Sequence, residues 1–287
     1  LVSAEARAAF DRDGFVLKRD VLPPEAFARL RDRLVSHAAP AREMVQGDTV
    51  TRRIALDAEF LRAQPEVREF VRSPLWQGLN RYVGSYDQEP VSYIQTILSH
   101  VHEAPPDPQT DLHADTFHPT VKAWYFITDV QEDAGPFCYV PGSHRLTPER
   151  LAWEKRLSLV AAEHPDRLTS RGSFRVRRGE LASLGLPEPR LFGVPANTLV
   201  VADTFGFHAR GPAVRPSTRV ELWGYGRRNP FLPWTGFDLL SLPGIAEQRA
   251  PLYWRALDWR QQRLGKRSPW QDAGLRTPGA PVTQGIW

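Results

Sequence analysis

A histidine and an aspartate two residues apart, His113 and Asp115, form a pair that suits metal binding. On an extended backbone, residues two apart point to the same side of the chain, so both side chains can be aimed at one point. One imidazole and one carboxylate are two of the three protein ligands in a 2-His-1-carboxylate site, which suits ferrous iron and leaves coordination positions open. Such a pair occurs easily by chance, and the interpretation therefore depends on the rest of the chain.

A second histidine far along the chain would complete this site, and His208 is the best candidate. It follows the apolar run 198–202 and precedes Gly211-Pro212. It is therefore expected at a strand end beside a turn, where ligands are usually presented. Arg219 comes eleven residues later, at the start of the next predicted strand. A buried arginine binds a carboxylate through two parallel hydrogen bonds, which suits a dicarboxylate ligand.

The segment His100-Val-His102-Glu103 offers a rival metal site. Its side chains also alternate, and it resembles the first half of a cupin metal motif. A cupin would need a glycine upstream and a further histidine in a later motif, and the sequence shows no clear match. We expect His100 and His102 to be strand residues near the mouth of a barrel. A cupin-type isomerase or lyase stays an alternative function.

Predicted helices dominate the first part of the chain, and predicted strands dominate the middle. Runs rich in β-branched and aromatic residues begin at about residue 88, with loops of mixed length between them. This order predicts an antiparallel barrel or sandwich with helices packed on one side. We expect one domain over residues 1–287, with a mainly helical flank at 1–87, a β core at 88–228, and a helical or irregular tail at 229–287.

The composition is that of a globular protein with a basic surface, because 41% of residues are hydrophobic, 24% are charged, and the net charge is +4. Cys138 is the single cysteine, which excludes an internal disulfide and a thiolate metal cluster. No apolar run approaches the roughly 20 residues of a membrane span, and the N-terminus shows no signal pattern. The sequence has no block of like charges of the kind that would indicate nucleic-acid binding. We expect a cytoplasmic protein, with peripheral contact at the inner membrane as an alternative.

The chain resembles the phytanoyl-CoA dioxygenase family of iron(II)- and 2-oxoglutarate-dependent oxygenases over most of residues 5–225. The resemblance depends on a set of motifs that is specific only as a whole. These are Phe10-x-x-x-Gly14-Phe15-Val16, His113-x-Asp115, Lys122-Ala-Trp124, Gly135-Pro136, Val140-Pro-Gly-Ser-His-Arg145, and His208 with Arg219. The resemblance implies a mainly β fold with flanking helices, the double-stranded β-helix or jelly roll.

The same resemblance implies the metal and the cosubstrates. His113, Asp115 and His208 correspond to the ligands of Fe(II), with 2-oxoglutarate and O2 as the cosubstrates. Arg219 corresponds to the arginine that pairs with the distal carboxylate of 2-oxoglutarate. Related halogenases carry a small residue in place of the carboxylate ligand and bind chloride there. The presence of Asp115 therefore favours hydroxylation.

Further cosubstrate contacts are implied at Gln95, which lies eighteen residues before the first metal ligand, and at Trp124. A basic contact is expected at Arg53, with Arg52 as the alternative. The Pro-Gly-Ser-His-Arg turn is expected to be structural, so that His144 is a surface residue and not a ligand.

The expected substrate is anionic, and either small or lipid-linked. Family members often carry serine two residues after the distal histidine, where this chain has Arg210. Arg210 therefore faces either the cosubstrate or the substrate. Arg227-Arg228 end the strand that begins at Arg219 and are expected at the barrel mouth, while His118 is expected near the iron. The segment from His113 to Trp124 looks most like the branch that hydroxylates 3-deoxy-octulosonic acid (Kdo) in lipopolysaccharide.

The tail after residue 230 is rich in tryptophan and arginine. It is expected either to fold over the barrel mouth and touch a lipid interface, or to pack on the outer face of the barrel. Its tryptophans include Trp234, Trp254, Trp259 and Trp270. A non-catalytic binding protein on the same barrel is a further alternative, which the intact ligand set and arginine disfavour.

Overall fold

The structure is a computed structural model that describes residues 2–231, 239–242 and 244–285. The helices within these ranges are α1 (Ala4–Asp13), α2 (Pro24–Ser36), α3 (Ala58–Ala63), α4 (Pro65–Val71), α5 (Pro74–Val83), α6 (Pro148–Val160), α7 (Arg178–Leu181) and α8 (Arg249–Leu264). The strands are β1 (Phe15–Lys18), β2 (Ala39–Gln46), β3 (Thr49–Ala55), β4 (Val91–Ser99), β5 (Thr120–Phe126), β6 (Phe137–Tyr139), β7 (Arg190–Leu191), β8 (Thr198–Asp203), β9 (His208–Arg210), β10 (Ser217–Arg227) and β11 (Gln271–Arg276).

Two antiparallel sheets form the body of the protein. The large sheet has the strand order β1-β8-β5-β10-β4-β3-β2-β11, and the small sheet has the order β7-β6-β9. His113 extends the small sheet, because it forms bridges with both His208 and Arg175. The sheets face each other, as shown by the rings of Trp124 on β5 and Phe137 on β6, whose centroids are 4.2 Å apart. This architecture confirms the mainly β jelly roll with flanking helices.

The two faces of the large sheet have different partners, as the alternation along β10 shows. Val220 and Leu222 pack in an apolar core with side chains of α2–α5. Arg219 and Trp223 point the other way and line a cavity between the sheets. We call the first the helix face and the second the site face. Because successive strand residues alternate between faces, one sequence builds an apolar core and a polar site on the same strands.

The N-terminal helix is attached to the sheets at a glycine. Ser3 caps α1 and Gly14 ends it in a left-handed conformation with φ of 85°. A β-carbon at Gly14 would lie 2.5 Å from the hydroxyl of Tyr139, so a side chain there would be both strained and crowded. The neighbouring turn is structural, as predicted, because the amide of Gly142 donates to the carbonyl of Asp13 and the His144 ring packs on Phe10.

Strands β2 and β3 lie in the flank that was expected to be mainly helical. The alternation of apolar and polar residues that would indicate these strands is interrupted in the sequence. Glu43 and Arg52 occupy buried positions on the helix face, where apolar residues are normally found. The two pair with each other at 2.5 Å. β11, from the expected irregular tail, extends the sheet further beside β2. The sheet is therefore wider than the predicted β core.

The tail packs on both faces of this widened sheet. Helix α8 packs on the site face through Trp254 and Leu257, next to the buried Trp270. The segment 277–283 lies on the opposite face, where its carbonyls accept hydrogen bonds from Arg52. Trp259 is exposed, and the Trp234 expectation lies outside the described residues. Within those residues, no helix combines the length and apolar character that crossing a bilayer requires.

Candidate metal centre and cosubstrate cavity

Three side chains with metal-ligand atoms converge between the sheets. The ligand atoms of His113, Asp115 and His208 all lie within 4.8 Å of one another. The Nε2 atom of His113 is 3.9 Å from Asp115 Oδ1, and that of His208 is 3.6 Å from Asp115 Oδ2. The backbones of the two histidines exchange hydrogen bonds of 2.9 Å in both directions. Strand pairing therefore places the two imidazoles side by side, although they are far apart in sequence.

Both imidazoles are held in the form that a metal ion needs. Nδ1 of His113 lies 2.7 Å from the carbonyl oxygen of Asp111, and Nδ1 of His208 lies 3.1 Å from that of Gly206. A carbonyl can only accept, so each Nδ1 carries the proton and each Nε2 presents its lone pair. Burial lowers the pKa of His113 well below its ordinary value and lowers the pKa of His208 to about 4. Neutral imidazoles at pH 7 are ready to bind a metal.

Lys122 lies beside the candidate ligands, although no role was expected for it. Its Nζ is 2.6 Å from Asp115 Oδ2 and 3.5 Å from His208 Nε2. Burial by itself would raise the pKa of Asp115, but the charge of Lys122 and the nearby imidazoles lower it below the ordinary value. Asp115 is therefore an anion throughout the physiological range. The signal was in the strand period, since Lys122 lies two residues before Trp124 and faces the same side.

The candidate ligands line a cavity of about 270 Å³. All four residues expected to bind the cosubstrate line it as well, namely Arg53, Gln95, Trp124 and Arg219. Arg210 lines the same cavity. The remaining lining residues are Met44, Gln46, Thr51, Gln109, Lys122, Phe137, Ala209 and Trp223. The volume is close to the lower end of the roughly 300–1,000 Å³ found for ligand pockets, which suits a small cosubstrate beside a metal.

A chain of polar contacts links Arg53 to Arg219 across three strands of the site face. Arg53 Nε donates to Gln95 Oε1 at 3.0 Å, and Gln95 Nε2 donates to Glu221 Oε1 at 2.8 Å. Glu221 Oε2 then forms an ion pair with Arg219, 2.9 Å from its Nε, and Nη1 of Arg219 donates to the carbonyl of Gly135. The guanidinium has five N–H groups. Arg219 can therefore hold these partners and a ligand carboxylate together.

Glu221 is a residue of this site that sequence reasoning missed. It is fully buried and lies on the same face of β10 as Arg219, two residues away. A buried carboxylate is stable only with partners that compensate its charge and its hydrogen bonds. The Arg219 guanidinium and the Gln95 amide are those partners. Glu221 therefore fixes the direction of Arg219 toward the cavity.

The strand period places Arg53, and not Arg52, in the wall of the cavity. Arg53 points to the site face, where its guanidinium carbon is 4.1 Å from the centroid of the Trp223 ring and 5.0 Å from that of Tyr93. The Trp270 ring lies 4.7 Å away. Burial lowers the pKa of Arg53 to about 10, so it remains a cation at neutral pH. Arg52 points to the helix face and cannot reach the cavity.

Arg210 belongs to the cavity wall. It lies two residues after His208 and forms a close ion pair with Asp107, in the loop that leads to His113. Arg227, Arg228 and His118 do not line the cavity. Arg227 instead donates from Nε to Nε2 of His118 at 3.3 Å.

The rival metal site is not assembled. Nδ1 of His100 lies 2.9 Å from Asp48, and its Nε2 is 2.6 Å from the carbonyl of Ala213. Over the ranges that the structure describes, the group of His113, Asp115 and His208 is the one set of at least three such side chains with converging ligand atoms. The geometry therefore gives no support to a cupin-type centre at His100 and His102.

Comparison with known families agrees with this geometry. The model of the phytanoyl-CoA dioxygenase (PhyH) family matches residues 10–180, more than half of the chain. The chain belongs to the phytanoyl-CoA dioxygenase family. The match includes His113 and Asp115 but ends before His208 and Arg219, so the case for those two residues depends on the geometry described above.

Two solved structures are similar to this phytanoyl-CoA dioxygenase family member. The non-heme alpha ketoglutarate dependent epimerase SnoN from nogalamycin biosynthesis is 22% identical, with a TM-score of 0.50 over 83% of this chain and 91% of SnoN. HygX from Streptomyces hygroscopicus, solved with nickel and 2-oxoglutarate, is 19% identical, with a TM-score of 0.48 over 83% of this chain and 92% of HygX. The likeness to SnoN shows a shared fold. Comparison with curated protein sequences gave no significant match.

Proposed function

We propose that the protein is an Fe(II)- and 2-oxoglutarate-dependent dioxygenase that hydroxylates a C–H bond of an anionic substrate. The observation that carries the proposal is the convergence of His113, Asp115 and His208 in the cavity that Arg219 also lines. Two neutral imidazoles and one carboxylate match the donor set that ferrous iron takes in oxygenases of this kind. Family membership supports the same assignment.

The chain's own residues would hold the cosubstrate in a fixed direction. Arg219 would bind the distal carboxylate of 2-oxoglutarate in bidentate fashion, because Glu221 and the carbonyl of Gly135 keep its guanidinium directed at the cavity. Gln95 and Trp124 would limit how the rest of the molecule lies. Bound iron with 2-oxoglutarate and O2 supplies the oxidant for the hydroxylation. The presence of Asp115 disfavours halogenation, since its carboxylate takes the position that a halide would need.

Four arginines in and beside the metal cavity support an anionic substrate. Arg210 lines the metal cavity and also a neighbouring pocket of about 600 Å³. Three further arginines, Arg175, Arg177 and Arg178, line that second pocket, with Asp111 as its acidic side chain. Guanidinium groups bind carboxylates and phosphates through directed hydrogen bonds. The leading candidate is Kdo, free or in its lipid-linked form in lipopolysaccharide, and the predicted roles of Arg227, Arg228 and His118 would then be at the outer edge of the site.

The metal assignment is tested with His208→Ala, compared with His100→Ala as the matched control. Both proteins are loaded with Fe(II) without oxygen, desalted and assayed for bound iron. We expect the wild type and His100→Ala to carry one iron per chain and His208→Ala to carry almost none. Stoichiometric iron in His208→Ala would show that the metal lies elsewhere.

The reaction is tested by succinate release from 2-oxoglutarate, coupled to a panel of neutral, cationic and anionic sugars that includes Kdo and Kdo-containing lipid A. We expect coupled release and a product heavier by one oxygen with an anionic sugar, and weaker coupling in Arg210→Ala. Coupled turnover of a neutral or cationic sugar that Arg210→Ala leaves unchanged would overturn the anionic substrate. An unhydroxylated, isomeric product would overturn hydroxylation and keep the metal assignment.

A further inference from the structure

A second cleft, of about 540 Å³, lies on the site face between strands β4 and β10 and helix α8. Aromatic and aliphatic side chains form most of its wall, and we call it the aromatic cleft. It is lined by Arg53, Val91, Tyr93, Trp223, Tyr225, Leu240, Arg249, Leu252 and Tyr253. Arg53 and Trp223 line the metal cavity as well. The two spaces therefore adjoin at these two side chains.

Three aromatic rings form the floor of the aromatic cleft, of which Trp223 and Tyr93 are each 6% exposed and Tyr225 is half-buried. Trp223 and Tyr225 occupy consecutive site-face positions on β10, with ring planes within 3° of parallel and centroids 5.8 Å apart. Tyr93 on β4 adds a third ring, 5.9 Å from Trp223. These strands are paired along their whole length, so the rings stand on a rigid support. Rings that are already ordered can contact a ligand at little entropic cost.

The rim of the cleft exposes large apolar side chains to solvent. Tyr253 and Leu252 on α8 are 50% and 52% exposed, and Leu240 is 57% exposed. Large apolar side chains that are exposed together around a concave surface indicate a binding site. The polar groups of the cleft are the hydroxyls of its tyrosines and the guanidinium groups of Arg53 and Arg249. The cleft thus combines apolar surface with tyrosine hydroxyls and two cationic side chains.

The metal cavity is too small to hold a large substrate together with a metal and a cosubstrate. At about 270 Å³, the cavity must hold the metal, the cosubstrate and the carbon that is oxidised. Any larger part of a substrate must lie outside it. Because the aromatic cleft adjoins the cavity at Trp223 and Arg53, it is well placed to receive that part.

We propose that the aromatic cleft binds a second pyranose ring of an acidic oligosaccharide or glycolipid while the ring to be hydroxylated lies at the metal. A pyranose has a C–H face that packs on flat aromatic rings and hydroxyl edges that pair with tyrosine and arginine, which are the two kinds of group that the cleft offers. The positive charges of Arg53 and Arg249 favour a ring that carries an acid group. This inference rests on the proposed function, because it assigns the reacting ring to the metal cavity.

The test compares mono- and disaccharides on Tyr253→Ala, with Trp259→Ala as the matched control. Tyr253 lines the cleft but not the metal cavity, and Trp259 is an exposed aromatic residue of the same helix that lines neither. Binding to the full chain is measured by calorimetry, with Ni(II) and 2-oxoglutarate present so that no turnover occurs. The probes are Kdo with a Kdo disaccharide, and galacturonic acid with digalacturonic acid.

We expect at least one disaccharide to bind the wild type at least tenfold more tightly than its monosaccharide. Tyr253→Ala should lose most of this gain, and Trp259→Ala should keep it. Equal affinity for mono- and disaccharides in the wild type, or a gain that survives Tyr253→Ala, would overturn the proposal, and so would a lack of binding by all four probes. Binding of 2-oxoglutarate in the same experiments reports separately on the proposed function.

Discussion

Two adjacent arginines on β3 have different environments on the two faces of the large sheet. Arg52, on the helix face, is fully buried and pairs with the fully buried Glu43 at 2.5 Å, while its other donors reach carbonyls of residues 277–281. Arg53, on the site face, stands among aromatic rings and lines both the metal cavity and the aromatic cleft. The first guanidinium has partners only from within the fold, whereas the second also faces space where a ligand can enter.

This contrast separates charged residues that support the fold from charged residues that serve the site. On the helix face, the buried side chains of Glu43 and Arg52 pair with each other. Both also form hydrogen bonds with the backbone of the C-terminal segment, which fixes that segment to the sheet. On the site face, Arg219 also has a buried partner in Glu221 but lines a cavity. Burial by itself therefore does not identify a functional residue. The feature that distinguishes Arg219 from Arg52 is that it lines a cavity next to the candidate ligands.

Removal of Arg52 should produce the greatest change in stability. Arg52→Ala leaves Glu43 buried without its cation, which typically costs about 3–5 kcal/mol. Arg53→Ala removes one hydrogen bond and the aromatic contacts, and should lower the free energy of unfolding by about 1–2 kcal/mol. Urea unfolding of both variants measures the difference. Equal losses would show that the two faces do not differ as described.

Asp203 should make the protein less stable as pH rises through the acid range. Burial raises the pKa of its carboxyl from 3.8 to about 6. Below about pH 4 the group is protonated in both states and contributes nothing, whereas above pH 6 it is ionised in both and folding bears the full cost of the shift. Two pKa units correspond to about 3 kcal/mol, lost between pH 4 and 6.

The control for this pH dependence is Asp203→Asn, whose amide oxygen can still accept from the backbone amides of Thr120 and Phe205. We expect urea unfolding of the metal-free variant to lack the wild-type loss between pH 4 and 6. The same pH dependence in both proteins would exclude Asp203 as its source.

Loss of Arg219 should weaken cosubstrate binding about a hundredfold, or about 2.7 kcal/mol, because the distal carboxylate loses its paired cation. Calorimetry of 2-oxoglutarate on metal-loaded, oxygen-free Arg219→Ala measures this, with the exposed Arg215→Ala as control. Arg219→Ala combined with Glu221→Gln avoids an unpaired buried carboxylate if the single variant folds poorly. Wild-type affinity in the folded double variant would show that another residue binds that carboxylate.

The smallest change is expected where α8 meets the sheet. Asp258 accepts two hydrogen bonds from Arg42, at 2.9 and 2.6 Å, in a partly exposed pair. Solvent screening limits such a pair, so Asp258→Ala should cost about 1 kcal/mol in urea unfolding. Because α8 forms one wall of the aromatic cleft, disaccharide binding should weaken while 2-oxoglutarate binding stays constant. Unchanged disaccharide affinity would mean that α8 does not depend on this pair.

The elements and ligands with local signals could be predicted from the sequence. The His113-x-Asp115 pair, the strand end before His208 and the helices capped by Ser3 and Ser73 each depend on neighbouring residues, and each is present in the structure. The strand period that aligns His113 with Asp115 equally places Lys122 with Trp124 and Glu221 with Arg219. The sequence therefore predicts that the members of each of these last two pairs share a strand face. Nothing local indicates that the two strands meet at one cavity.

Long-range packing determined the features that local patterns could not show. Strands β2 and β3 were missed because Glu43 and Arg52 interrupt the apolar pattern, and their burial is possible only once the two charges pair across strands and the C-terminal segment covers them. The position of α8 depends in the same way on contacts with distant strands. Local propensity and periodicity of the chain therefore indicate the candidate metal ligands and most strands. The widened sheet, the partners of each buried charge and the aromatic cleft arise from contacts between residues far apart in sequence.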